Sequence, residues 1–431
     1  MKGRSENAAR SEKRPASGPD REKEERIQRL YRKGWNPRRV LAGYFSVYVT
    51  EGMVRSIMVL LPIYLASGIF KLDAVQTGFI LIMAYVPWHF KFLIGLGMDV
   101  TPTIGTWRRR TYIVLGTFVT IMGVMWLSNT ADPWMGILPA IIMVMAGDAL
   151  IDTGIDSLLL DVAPPDWHGV GMGVGWGARA IGVAISSVIT FFVQATWGFT
   201  AAFYIFVLYA IPALLAVEIH EPKLTGERRI SKKPLAETFT DKKIIGWVGF
   251  ALLGCFVYVL DPTRGILSLI ATSIAGPQSS VIFYVTICFA LASALASFIM
   301  CRPLDRMGHR RGYYISLAGA FLSILLWCTL GQGMLAWLLV CSGILGFFVA
   351  FNFVAWATVL ADTVPPHFTA FMWQYDMGWL HVAAFMSGIF ITYMLGAGYQ
   401  AALIGMALLT LLGFIPAKFI RSMRLSKGEI S

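Results

Sequence analysis

Charge is scarce in this chain. Only 14% of its 431 residues are Asp, Glu, Lys or Arg, against roughly 25% in soluble domains, so composition excludes a water-facing globule. The five cysteines (Cys255, Cys288, Cys301, Cys328 and Cys341) lie in or beside apolar runs without CxxC spacing. A disulfide framework and a cysteine metal site both lack their pattern. His89 belongs to no metal-ligand constellation. The alternating glycines from Gly169 to Gly177 follow no strand and cradle no phosphate; they let a helix approach its neighbours closely. No nucleophile-and-base set or nucleotide-binding sequence is visible, so the reading is of a non-enzyme without cofactor or metal.

Apolar sequence is abundant: 56% of residues are hydrophobic and mean hydropathy is +0.64. Runs of about 20 apolar residues span a bilayer. Twelve are found, at 40–67, 74–98, 111–129, 134–162, 169–195, 199–217, 244–273, 279–300, 312–331, 335–361, 369–395 and 398–417. The fold class expected is therefore all-α integral membrane, with twelve transmembrane helices in two six-helix halves. Residues 1–37 form a charged cytoplasmic tail without a signal-peptide core. The first bundle then covers 38–217, a charged linker 218–243, the second bundle 244–420 and a short tail 421–431.

The 36 Lys and Arg residues set the orientation. Arg55, Lys91, Arg179 and Arg264 fall within spans and Lys71 on the outer side. All others fall in the tails or in loops that share one side if both termini are cytoplasmic. The net charge of +11 is thus a topology signal and gives no case for nucleic acid. A multi-pass protein of the cytoplasmic membrane is expected, monomeric, with the lipid bilayer as its surroundings.

The most informative stretch is the fourth span. Asp148, Asp152 and Asp156 recur at i, i+4 and i+8, which places them in one stripe of a helix. A carboxylate at bilayer depth costs several kcal/mol, so the stripe faces a bundle interior or a cavity. Asp148 and Asp152 are the first candidates for protonation, with Asp156 and Glu51 beside them. Asp161, ahead of Pro164-Pro165, reads as a gate or cap at the cytoplasmic end.

The halves carry matching marks. Gly95-Leu-Gly-Met-Asp99 precedes Arg108-Arg109-Arg110, while Asp305-Arg306-Met-Gly308-His-Arg310-Arg311 follows the eighth span. Asp161-Val-Ala-Pro164-Pro165 is paralleled by Asp362-Thr-Val-Pro365-Pro366. Parallel halves with such marks suit alternating access about a central cleft. A carboxylate–arginine turn can hold one gate closed through charge-assisted hydrogen bonds.

The 305–311 run resembles the cytoplasmic loop signature of the major facilitator superfamily. The stretch from Pro87 to Tyr112, through Lys91, Gly95, Asp99, Pro102, Gly105 and the three arginines, is similar to the folate–biopterin transporters and AmpG-like muropeptide permeases. Asp152-xxx-Asp156 through Asp161, and Gly175-Trp-Gly177-Ala-Arg179, resemble the fourth and fifth helices of that branch. The second half departs from it around 368–378. The resemblance implies that helices one, four, seven and ten line a cavity. Intramembrane polar residues already gather there: Glu51 and Arg55, the aspartates, Asp261 and Arg264, Asn352 and Trp356.

Each has a bland reading beside the functional one. Glu51 and Arg55, at i and i+4, can neutralise each other or face the solute. Asp261-Pro262-Thr-Arg264 suits a hinge, a substrate contact or an outer gate. Arg179 is expected to partner Asp152 or Asp156, and Lys91 to snorkel to the interface. Asp376 and His381 can titrate or simply pack. Trp176, Trp356, Trp373 and Trp379 can stack on a planar solute or fill the core.

The function read from the sequence is secondary active transport of a small organic solute, coupled to protons by symport, with Asp152→Asn expected to abolish concentrative uptake. The resemblance suggests a pterin, a folate or a sugar-peptide fragment. The alternatives are a uniporter, or a non-transporting assembly or pigment-delivery factor. Carboxylates that are paired off and dry would favour the last.

Overall fold

The computed structural model describes residues 36–67, 70–100, 107–162, 168–219, 242–275, 279–307, 309–331, 334–361 and 369–416. The expected tails, most of the 218–243 linker, Gly308 and Asp362 lie outside the described residues, as do the side chains of Asp305 and Arg306.

The described elements group into twelve spans. α1 runs through Pro37–Arg55 and Ile57–Ser67; Asn36 caps it by accepting from the Arg39 amide at 3.2 Å, with Pro37 in its first turn. α2 comprises Ala74–Ala84, Val86–His89 and Lys91–Val100, begun by an Asp73/Gln76 capping box and interrupted at Tyr85 and Phe90. α3 is Arg109–Ser128. α4 is Leu138–Val162, entered through a π turn at Pro133–Ile137 that the Asp132 carboxylate caps.

α5 and α6 share the run His168–Ala210 and are separated at Gly198, whose φ of 81° a side chain would strain. α8 is Ser279–Met307, α9 His309–Trp327, α10 Leu335–Ala361, α11 Thr369–Leu395 and α12 Tyr399–Leu411. Among the described residues seven helices are long and apolar enough to cross a membrane, one of them the 49-residue run Val170–Glu218 that holds two spans.

α7 is irregular over a longer stretch than the breaks in α1 and α2. It starts as Lys242–Leu253, passes through 3-10 turns at Phe256–Leu260 and Pro262–Arg264, and resumes at Ile266–Ala275. Pro262 lacks an amide to donate, and Gly265 takes φ 78°. The expected hinge at Asp261–Arg264 is therefore a longer irregular segment. Backbone carbonyls freed from the ladder need partners, and two take tyrosine hydroxyls: Tyr85 donates to Thr263 O, and Tyr313 to Gly254 O at 2.7 Å.

Within the first half α3 packs on α4 and α1 on α5; within the second, α8 and α9 pack on α10. The halves meet along two seams, α5 against α8 and α2 against α11. The α1–α5 contact is close because glycines face it. A methyl group at Gly52 would stand 2.0 Å from Arg179 O, and one at Gly182 2.1 Å from Val49 O. Large apolar side chains such as Phe118, Met122, Leu322 and Tyr393 face outward, where lipid replaces water as the solvent.

Candidate functional site

Four helices of the first half carry a buried ladder of charges. α1 presents Tyr44, Tyr48, Glu51 and Arg55, spaced 4, 3 and 4 residues apart, which is one helix stripe. α4 presents its aspartate stripe, α2 adds Lys91 and α5 adds Arg179. None of these charged residues is more than 5% exposed.

Arg55 anchors the middle. It pairs with Glu51 at 2.6 Å and with Asp148 at 2.9 Å, and lies over the Trp88 ring at 3.6 Å. The Glu51–Arg55 pair is thus extended to α4 and is not closed on itself. Lys91 does not snorkel: it is 1% exposed and its ammonium is bonded to Asp152 while lying 4.1 Å from the Trp88 ring centre. α2 breaks at Phe90, immediately before Lys91, and the lysine faces α4.

Arg179 differs from expectation in its partners. It stands 3.5 Å from Glu51 and then reaches into α7, donating to Tyr258 Oη at 3.0 Å, Thr263 Oγ1 at 2.7 Å and Asp261 at 3.3 Å. The glycine contact holds the Arg179 backbone against α1, so the side chain is directed to the half opposite rather than down the aspartate stripe. The Tyr258 hydroxyl also accepts from Arg55 at 3.4 Å. Tyr258 thereby joins two first-half arginines to α7.

Asp156 is held differently from its neighbours. Its Oδ1 accepts from Tyr48 at 2.5 Å and Tyr44 at 3.3 Å; its Oδ2 accepts from Trp373 Nε1 at 2.8 Å and Gln374 at 3.5 Å. Among the described residues no cation pairs with it. The carboxylate therefore joins α1, α4 and α11 through neutral donors alone.

Below it stands a second cluster. Asp161 accepts from Arg108 and Arg109 at 3.1 Å each, and Arg109 also pairs with Asp99 at 2.8 Å. Arg110 donates to Val217 O at 2.6 Å and lies over Trp107, while Gly95 is buried in α2. In the other half Arg310 donates to Tyr314 Oη at 3.3 Å and Arg311 is exposed.

Asn352 and Trp356 are satisfied inside the second half. Asn352 contacts Cys255 and Ser316, and Trp356 donates to Phe250 O at 3.3 Å. Asp376 is 4% exposed with no hydrogen bond or ion pair among the described residues. A recess lies at the α5–α8 seam, lined by Trp176, Arg179, Tyr258, Asp261 and Phe353. A second recess lies at the α2–α11 seam and includes Tyr85, His89 and Arg264.

Sequence reasoning missed Tyr44, Tyr48, Tyr85 and Tyr258. The first two were available from the α1 stripe they share with Glu51 and Arg55. Tyr258 carried no such signal, because α7 is irregular there and periodicity gives no face.

The sequence profile of the Major Facilitator Superfamily matches residues 5–187 and 263–429. No curated protein matches the chain. Among solved structures, the human organic anion transporter MFSD10 (TETRAN) is similar at 16% identity and TM-score 0.62, covering 89% of this chain and 100% of its own. A variant of the nucleoside transporter NupG is similar at 13% identity and TM-score 0.64, covering 89% and 99%. A variant of the E. coli fucose:proton symporter FucP is similar at 14% identity and TM-score 0.64, covering 88% and 98%.

Proposed function

The chain belongs to the Major Facilitator Superfamily, as a multi-pass membrane transporter and not an enzyme, and from that premise we propose proton-coupled symport of a small organic solute. The halves rock about the central ladder, with both termini on the cytoplasmic side of the cell membrane. The distribution of Lys and Arg supports that orientation. One protomer suffices, since each half supplies its share of the site. The folate–biopterin and AmpG-like resemblance of the first half makes planar anions and sugar-peptide fragments the first solutes to try.

The observation that carries proton coupling is the environment of Asp156. Arg55 matches the charge of Asp148 and Lys91 that of Asp152, whereas Asp156 has four neutral donors. Of the three carboxylates in the α4 stripe it is the one with no cation among the described residues to hold it ionised, and unlike Asp376 it is hydrogen-bonded to both halves. Two of its donors belong to α11, so protonation there changes the bonding between halves. Asp156 is accordingly the coupling residue, and Asp148, Asp152 and Glu51 set its surroundings.

One observation favours a second reading. The ladder is buried and largely paired off, as expected of a non-transporting assembly factor. The same experiment separates the two. Sealed proteoliposomes are challenged with folate, a pterin, a muropeptide fragment, an acyl-CoA and simple sugars while internal pH is followed. Solute-dependent proton influx that is lost in Asp156→Asn supports symport. Solute equilibration that ignores the proton gradient makes the protein a uniporter, and silence from correctly inserted protein favours the assembly reading.

A further inference from the structure

Of the four buried cations in the described centre, three have carboxylates. Arg55 has Glu51 and Asp148, Lys91 has Asp152, and Arg179 has Glu51 and Asp261. Arg264 has none among the described residues, although it is 5% exposed. Its Nη2 lies 2.5 Å from His381 Nδ1, and its guanidinium lies over Tyr85 at 4.1 Å and Tyr258 at 4.6 Å. Its Nε is buried without a hydrogen-bond partner.

None of these neighbours supplies negative charge. A guanidinium only donates, so His381 Nδ1 must accept, and the ring is neutral with its proton on Nε2. Tyr85 spends its hydroxyl proton on Thr263 O. His89 is likewise committed, with Nε2 donating to His381 O at 3.1 Å. Aromatic faces offset part of the cost of burying a cation, but less than the desolvation penalty of the ion.

Arg264 also lines the recess at the α2–α11 seam, whose remaining walls are mainly apolar: Leu81, Ile82, Val259, Ala384 and Phe385. Pockets of this kind, apolar with one charged group, orient a ligand by its head. We propose that this recess binds the oxyanion of an organic solute, with a carboxylate or phosphate on Arg264 and an apolar body against α2 and α11. The inference rests on the transporter reading and narrows its solute to an organic anion. Because α2 and α11 belong to different halves, an anion seated there contacts both.

The test uses purified full-length protein in detergent, with thermal unfolding followed against benzoate, phenyl phosphate and the neutral benzamide at equal ionic strength. Ligand that binds only the folded state raises Tm. Benzoate or phenyl phosphate should raise Tm by several degrees, the larger shift naming the head group, while benzamide leaves it unchanged. Arg264→Gln should abolish the shift and Arg264→Lys retain part of it. Without anion, Arg264→Gln should melt no lower than wild type, since it removes a charge that has no counter-charge. Equal shifts in wild type and Arg264→Gln would overturn the proposal, as would benzamide matching benzoate or no shift with either anion. The readout needs no proton flux, so its failure and the failure of coupling at Asp156 are separately visible.

Discussion

Asp99 Oδ2 accepts a hydrogen bond from the backbone amide of Phe371 at 2.9 Å, so the end of α2 caps the first turn of α11 across the seam between halves. The first amides of a helix have no partner within it, and a carboxylate there also meets the positive end of the helix dipole. Arg109 holds the same carboxylate through Oδ1 at 2.8 Å. The motif thus links the arginine turn of one half to a helix start in the other.

Removing that cap should loosen the start of α11. Hydrogen bonds to charged groups are worth about 1.5–3 kcal/mol, so Asp99→Ala should speed amide exchange at Phe371 and its neighbours roughly tenfold to a hundredfold. Hydrogen-exchange mass spectrometry of the peptide covering 369–375 reads this directly. Unchanged exchange would mean that the contact does not hold the seam.

The Lys91–Asp152 pair should behave as a unit. Lys91→Met leaves a buried carboxylate alone, which costs about 3–5 kcal/mol, and Asp152→Leu leaves a buried ammonium at similar cost. The double variant removes both charges and should recover most of the lost stability. A thermal-unfolding cycle decides it: additive losses would show that the two side chains do not depend on each other.

The α1–α5 contact should tolerate no added carbon. Gly52→Ala and Gly182→Ala each place a methyl within about 2 Å of a backbone oxygen and should destabilise by about 1–3 kcal/mol or more. Gly249→Ala, where a methyl meets nothing within 4 Å, is the control and should be neutral or better. Wild-type stability in Gly52→Ala would contradict the packing.

The twelve spans were legible because crossing a bilayer forces long apolar runs. The aspartate stripe was legible for the same reason, since helical spacing alone puts Asp148, Asp152 and Asp156 on one face. The partners were not. Which cation meets which aspartate depends on the register between helices, which the sequence of one helix does not contain. Lys91 reached Asp152 through the break at Phe90, and Arg179 turned to α7 through a glycine contact on α1. The length of the α7 break was hidden as well, because Phe256–Leu260 is apolar enough to read as continuous helix.

The placement of the ladder has an electrical consequence. Moving one elementary charge through the full membrane voltage is worth about 2.3 kcal/mol per 100 mV. Glu51, Arg55, Asp148, Asp152, Lys91 and Arg179 all lie in the middle stretches of their spans, and their three negative and three positive formal charges cancel. If the halves rock as proposed, displacement of this group as a unit moves no net charge through the field, and a voltage dependence of transport would report the charge of the cargo and of any ion carried with it.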